Sequence, residues 1–123
     1  MSKKRGIAAE RELLHLLWAK GYAVARVAGS GSVPEPSCDL LAGNGKKRYA
    51  IECKTSRKEK KYITAEQIQE FEKFAKRFGL EPIVAIKFIR KGWFFIPPKK
   101  LDKTGKSYAI SLDDAMKRDI KLI

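Results

Sequence analysis

The chain has 123 residues, of which 44% are hydrophobic, and 27 Lys and Arg residues against 14 Asp and Glu residues give it a formal net charge of +13. This length and apolar content predict one domain over residues 1–123 with one hydrophobic core. No apolar run approaches the length of a membrane span, and no signal peptide opens the chain, so we expect a cytoplasmic protein with no membrane anchor. Two cysteines and one histidine are too few for a tetrahedral Cys/His metal site or a disulfide framework.

The excess of positive charge is the strongest compositional signal. A net charge of this size repels itself unless a polyanion is bound, and duplex DNA carries one negative charge per about 1.7 Å of its axis. A ribosomal-type RNA binder or a membrane-surface protein would be basic for similar reasons. The composition therefore favours a nucleic-acid partner without identifying which nucleic acid.

Helical and strand periods follow one another along the chain. Thr64 and Gln67 have the spacing of a capping box, and Asn44-Gly45 between two strand-like runs predicts a hairpin turn with positive φ angles. The predicted elements are a helix over 6–20, a strand over 22–27, a mobile loop over 29–37, hairpin strands over 38–42 and 48–54, a helix over 64–79, strands over 82–89, 92–96 and 107–110, and a last helical turn over 111–114. This order predicts an α/β fold with a central mixed β-sheet of about five strands flanked by helices.

The hairpin brings together the first group of residues with catalytic potential. Side chains alternate faces along a strand, so Glu52 and Lys54 share one face. A turn centred between residues 45 and 46 pairs residues whose numbers add up to 91, which puts Asp39 opposite Glu52, roughly 5 Å apart at Cβ. Carboxylates this close repel each other, and a divalent cation with oxygen ligands relieves the repulsion.

Near such a cation, Lys54 is placed to orient or activate water, or to stabilise charge on phosphate oxygens during phosphodiester hydrolysis. The alternative is a surface salt bridge between Glu52 and Lys54, which is the commoner explanation for a Glu-x-Lys pattern alone. Glu10 is a further acid, set within the apolar face of the first helix. It is either a third acidic ligand directed at the sheet or a first-turn acid favoured by the helix dipole.

Basic and polar residues flank these acids in the sequence. Arg26 and a loop serine, Ser30 or Ser32, precede Asp39 and would suit phosphate. Gln67 could also touch the site, although the capping box already accounts for it. A basic run follows Lys54, and its position next to the proposed site favours contact with the DNA backbone over a merely solvated loop. Its members are Arg57, Lys58, Lys60 and Lys61.

Taken together, these segments resemble the archaeal Holliday-junction resolvases, a branch of the PD-(D/E)XK nuclease superfamily. The resemblance covers roughly residues 5–98 and has two departures: Cys38 replaces the proline of the superfamily's Pro-Asp pair, and the loop offers two serines. The segments that carry the resemblance are Gly6-Ile7-Ala8-Ala9-Glu10-Arg11-Glu12, Gly21-Tyr22-Ala23-Val24-Ala25-Arg26, Asp39-Leu40-Leu41-Ala42-Gly43-Asn44-Gly45, Ile51-Glu52-Cys53-Lys54 and Phe71 to Phe78.

The resemblance implies a restriction-endonuclease-like nuclease fold and a homodimeric, Mg²⁺-dependent endonuclease that cuts two strands of a four-way DNA junction symmetrically. A related nuclease acting on linear or damaged duplex is the alternative, and a sliding clamp is a candidate protein partner. The implied catalytic residues are Glu10, Ser30, Asp39, Glu52 and Lys54, with the three acids as metal ligands; the implied DNA-binding residues are Arg5, Arg11, Arg26, Arg57, Lys58, Lys60 and Lys61; and Phe74 and Phe78 lie at the implied dimer contact.

Overall fold

A computed structural model describes residues 3–29 and 32–123, with side chains from residue 6 onward. The helices and strands, in chain order, are α1 (Lys3–Ala19), β1 (Ala23–Arg26), β2 (Leu40–Gly43), β3 (Arg48–Ser56), β4 (Lys60–Thr64), α2 (Ala65–Phe78), β5 (Glu81–Phe88), β6 (Gly92–Ile96), a short 3-10 helix (Pro98–Lys100), β7 (Asp102–Thr104), β8 (Ser107–Ser111) and α3 (Leu112–Arg118). No helix within the described ranges is both long and apolar enough to cross a membrane.

Five strands form a mixed sheet in the order β1-β2-β3-β5-β6. Strands β3 and β5 are parallel, with α2 in the connection between them, and the other neighbours are antiparallel. The predicted fold class, a central mixed sheet of about five strands flanked by helices, is therefore confirmed. The sheet leaves β1 as an edge strand, paired on one side with β2.

A second, three-stranded antiparallel sheet in the order β4-β8-β7 was not predicted. The sequence did not reveal β4 because Ile63 is its only buried residue, and none of β7 is buried. The basic run, for which no strand was predicted, places Lys60 and Lys61 in β4, and β4 pairs with the distant strand β8, where Lys60 is opposite Ser111. Pairing over such a separation leaves no local pattern in the sequence.

Apolar side chains cover both faces of the main sheet. Leu13 and Leu17 of α1 pack with Ile51 and Cys53 on one face. The helix α2 covers the other face, where its Ile68, Phe71 and Ala75 meet Ala50 and Val84. Because Ile51 and Cys53 of β3 face α1, the intervening Glu52 is directed to the side of α2.

The hairpin between β2 and β3 has the predicted register. Leu40 pairs with Ile51 and Gly43 with Arg48, so the paired numbers add up to 91 as expected. The backbone of the turn differs from the prediction, because Gly45 has a positive φ of +91° and Asn44 does not. Asn44 contributes through its side chain, which accepts hydrogen bonds from the backbone N–H groups of Lys46 and Lys47. This side-chain cap and the glycine together fix the turn and hence the register.

The first helix forms where it was predicted, but fewer of its apolar side chains are buried than their spacing predicts. Leu16 and Trp18, which have the spacing of core residues, are 38% and 54% exposed. The second helix begins at the predicted cap, where the Gln67 N–H donates to the Thr64 hydroxyl at 3.2 Å. It ends at Gly79, whose φ of +87° is the left-handed conformation typical of a helix C-terminus.

Candidate active site

The centre of the site is a pair of acids at the end of the hairpin. Asp39 precedes the first paired residue of β2, and its N–H donates to the Ile51 carbonyl at 3.0 Å. The side chain of Asp39 also contacts β3, because its Oδ2 accepts a hydrogen bond from the Cys53 N–H at 2.8 Å. These bonds hold the carboxylate of Asp39 against β3, within hydrogen-bonding reach of the Glu52 carboxyl group.

Glu52 keeps a proton near neutral pH in the metal-free protein. Burial and the charge of Asp39 raise its pKa to about 8, although the Lys54 ammonium opposes the shift. Its side chain is 21% exposed, so a solute can still reach the carboxyl group. The protonated Glu52 therefore lies beside the charge of Asp39, and a divalent cation would compete with this proton for the position.

Lys54 is held beside this pair by two contacts. Its Nζ donates to Gln67 Oε1 at 3.1 Å and lies 3.7 Å from Glu52 Oε2. Gln67, for which the capping box was the preferred explanation, thus has a second role as the partner of the lysine. The sequence carried no signal for this contact, because it depends on how α2 lies across the end of β3.

Glu10 approaches the pair from α1 and is engaged with Arg26 of β1. Its Oε1 lies 3.0 Å from Arg26 Nε, and its side chain is 16% exposed. Burial and the charge of Asp39 raise the pKa of Glu10, while the bond to Arg26 opposes this. Across the described part of the chain, no three Asp, Glu, His or Cys side chains converge closely enough to hold a metal ion. The structure thus brings Asp39 and Glu52 together but does not place the third predicted ligand, Glu10, at the same point.

An open groove of about 400 Å³ leads to Glu52 along α2. Its walls include Ser37, Thr64, Gln67 and Phe71, together with the acids Glu66 and Glu70. Glu52 and the lysine partner Gln67 are therefore accessible from solvent. The two cysteines play no part as ligands, since both are buried and free, and burial raises the pKa of each thiol.

The remaining site predictions fall on the rim or outside the described residues. Ser30 lies outside them, whereas the Ser32 hydroxyl donates to the Gly29 carbonyl at 2.6 Å. Of the predicted DNA-binding residues, Arg11, Arg57, Lys58 and Lys60 are exposed, Lys61 is half-buried, Arg26 is bound to Glu10, and the side chain of Arg5 is not described. Burial and the neighbouring Lys54 lower the pKa of Lys61, so this cation lies close to the site.

The family model for the archaeal Holliday junction resolvase (Hjc) matches residues 1–122. The chain belongs to this family. It is 43% identical over 108 residues to the crossover junction endodeoxyribonuclease Hjc of Archaeoglobus fulgidus, covering 88% of this chain and 79% of that protein. It is 43% identical over 107 residues to the Hjc of Methanocaldococcus jannaschii, covering 87% and 76%. Crossover junction endodeoxyribonuclease is accordingly the enzyme class of this chain.

A solved structure supports the same assignment. The crystal structure of Hjc from Archaeoglobus fulgidus, described as a Holliday junction resolvase, superposes with a TM-score of 0.86 at 38% identity and covers 91% of this chain and 93% of that one. A more distant relative is the Hje enzyme of Saccharolobus solfataricus, 31% identical over 105 residues and covering 83% and 78%. The resolvase family thus accounts for nearly the whole chain.

An apolar surface of the resolvase lies away from the acids. Phe74 and Phe78, on one face of α2, have ring centres 5.4 Å apart, and Phe78 is 60% exposed. A shallow groove of about 350 Å³ continues this surface from Phe78 past Leu41 and Val24 to the exposed Trp18. A continuous apolar surface of this kind is typical of a protein–protein contact.

Proposed function

We propose that this chain resolves four-way DNA junctions by Mg²⁺-dependent hydrolysis of one phosphodiester bond in each of two symmetry-related strands, leaving ligatable nicks. The observation that carries the proposal is the close pair of Asp39 and Glu52, with Lys54 beside it, at an open groove. A net charge of +13 provides the attraction for the substrate.

The donor set fits a hard divalent cation. Asp39 and Glu52 would hold it, since two close carboxylates prefer a cation to a proton at neutral pH. Mg²⁺ commonly takes one or two carboxylates together with water and substrate phosphate, so two protein ligands suffice. When bound, the cation acts as a Lewis acid that activates water and stabilises charge on the phosphate.

The neighbouring side chains position the reactants. Lys54 would orient the attacking water or neutralise charge that develops on the phosphate oxygens, and Gln67 restrains its ammonium group through the 3.1 Å hydrogen bond. A lysine restrained in this way loses less freedom when the phosphate arrives.

Glu10 and Arg26 form a second pair that the substrate can separate. A phosphate competes well for a guanidinium, so DNA would draw Arg26 from Glu10. Glu10 would then be an unpaired carboxylate next to the Asp39 and Glu52 pair and could complete the acidic site as its third member. In this proposal Glu10 takes the acidic active-site role that the family resemblance implies, but only after DNA has bound.

A symmetric dimer completes the proposal. Two cuts related by a two-fold axis require two sites with the same symmetry. The apolar surface around Phe74 and Phe78, with the edge strand β1 beside it, supports a contact between two copies. Phe78 and Trp18, each more than half exposed, would be buried in that dimer.

Cleavage of a synthetic four-way junction compared with a linear duplex of the same sequence tests this function. We expect paired nicks in the junction with Mg²⁺, none with EDTA, and little cutting of the duplex. Equal cutting of both substrates would favour the alternative, a related nuclease for linear or damaged duplex. Binding without nicking in Mg²⁺ would leave only a basic nucleic-acid binder.

A further inference from the structure

A third groove, of about 570 Å³, lies at the opposite end of β3 from the hairpin turn. It follows Lys54 directly in the chain, because its wall begins at Thr55 and Ser56. Ser56 is two residues beyond Lys54, roughly 7 Å along the strand, or about two nucleotides at the 3.4 Å spacing of a DNA strand. A DNA strand cut beside Lys54 can therefore extend into this groove.

The groove combines cations with two exposed apolar side chains. Arg57, Lys58 and Lys60 line it, and none of them forms an ion pair among the described residues. Tyr62 and Ile89 line the same groove and are 58% and 42% exposed. The positive charge of the groove suits a polyanion, and the exposed Tyr62 ring suits a partner with a flat or apolar surface.

The turn that carries the cations is fixed in place. The Ser56 hydroxyl lies 3.0 Å from the Lys58 carbonyl and 3.2 Å from both the Lys60 carbonyl and the Lys58 N–H. The Ser56 carbonyl also accepts a hydrogen bond from the Ile89 N–H at 2.9 Å. A preformed groove binds with less loss of entropy than a loop that must first become ordered.

Tyr62 is directed outward by the alternation of β4. Its neighbours Lys61 and Ile63 are half-buried and buried, while Tyr62 is opposite the small Ala109 of β8. The ammonium group of Lys60 lies over one face of the ring, 5.3 Å from its centre. A nucleotide that places its phosphate at Lys60 would stack its base on the other face of the ring.

We propose that Tyr62 is a stacking platform for a base that is unstacked at the crossover of the junction, while Arg57, Lys58 and Lys60 bind the adjacent phosphates. The inference rests on the proposed action on four-way junctions and gives it a means of selectivity. In a continuous duplex each base is stacked and has no free face, so the ring gains nothing there. Stacking on an aromatic side chain is independent of base identity, so the platform recognises structure rather than sequence.

Binding to a four-way junction and to a duplex of the same sequence, in EDTA so that strands stay intact, tests the platform. We expect Tyr62→Ala and Tyr62→Leu to weaken junction binding about 10-fold and duplex binding less than about 2-fold, and Tyr62→Phe to bind like the wild type. Met116→Ala is the matched control, since Met116 is 57% exposed and lies outside the groove. Tyr62→Leu retains a bulky apolar side chain on the strand, which guards against misfolding of the alanine variant.

Fluorescence gives an independent readout. With 2-aminopurine placed in turn at the positions flanking the crossover, at least one position should be brighter in the Tyr62→Ala complex than in the wild-type and Tyr62→Phe complexes. Unchanged junction binding, equal weakening for junction and duplex, or identical emission at all positions would overturn the proposal. A wild type that does not nick junctions with Mg²⁺ would instead overturn the proposed function.

Discussion

Replacing Glu52 by Gln should remove a pH dependence from the stability of the metal-free protein. The pKa of Glu52 is raised from 4.5 to about 8, chiefly by burial and by the charge of Asp39. Between these two values the folded protein holds a proton that the unfolded chain has released. Raising the pH through this window therefore destabilises the wild type, which is opposite to the usual behaviour of a salt-bridged acid.

The size of the effect follows from the linkage between protonation and folding. One proton held only in the folded state lowers the free energy of unfolding by about 1.4 kcal/mol for each pH unit. Between about pH 5.5 and 7.5 the loss of stability that Glu52 causes should be about 2–3 kcal/mol. The pKa of Glu10 is also raised, but this group is present in both proteins, so the difference between wild type and E52Q isolates the pair.

Urea unfolding at several pH values, in EDTA and in Mg²⁺, measures this difference without adding salt. In EDTA the wild type should lose stability as the pH rises and E52Q should change much less. Mg²⁺ should flatten the wild-type curve, because the cation replaces the proton, and should leave E52Q nearly unchanged. A wild-type curve in EDTA that runs parallel to that of E52Q would refute the raised pKa of Glu52 and the reasoning built on it.

Three further substitutions test other parts of the site. Gln67→Ala should lower the rate of junction cleavage about 10-fold and leave junction binding in EDTA unchanged, because Lys54, the proposed catalytic lysine, loses its restraint. The exposed Gln69→Ala on the same helix should behave like the wild type, and equal rates for the two variants would contradict the role of Gln67. Phe78→Asp should convert a dimer into a monomer by light scattering, with Met116→Asp as control, and a dimer that persists would exclude this surface. Arg57→Ala should reduce the slope of log affinity against log salt by about 0.9, and an unchanged slope would place Arg57 away from phosphate.

The part of the site that depends on local periodicity was predictable from sequence. A strand period of two and a turn at Asn44-Gly45 placed Glu52 and Lys54 on one face and set the register that ends at Asp39. These rules involve neighbouring residues and one short turn, so no tertiary information was needed. Even here the turn chemistry was partly wrong, since Asn44 acts through its side chain and not through a positive φ.

The rest of the site depends on how distant elements pack. The contact of Lys54 with Gln67 requires α2 to lie over the end of β3, and the bond of Glu10 to Arg26 joins a helix to an edge strand. Strand β4 exists through pairing with a strand near the C-terminus, and its single buried residue left no apolar pattern to detect. Sequence therefore identified residue types and one register, whereas the partners of those residues came only from the fold.

The most direct test of the central claim is cleavage of a labelled four-way junction by Asp39→Ala in Mg²⁺, beside its binding to the same junction in EDTA. Asp113→Ala is the matched control, because Asp113 is an exposed acid in α3. We predict that Asp39→Ala abolishes both nicks and binds the junction about as well as the wild type, while Asp113→Ala cuts normally. Undiminished paired nicking by purified Asp39→Ala would contradict a mechanism that depends on the Asp39 and Glu52 pair.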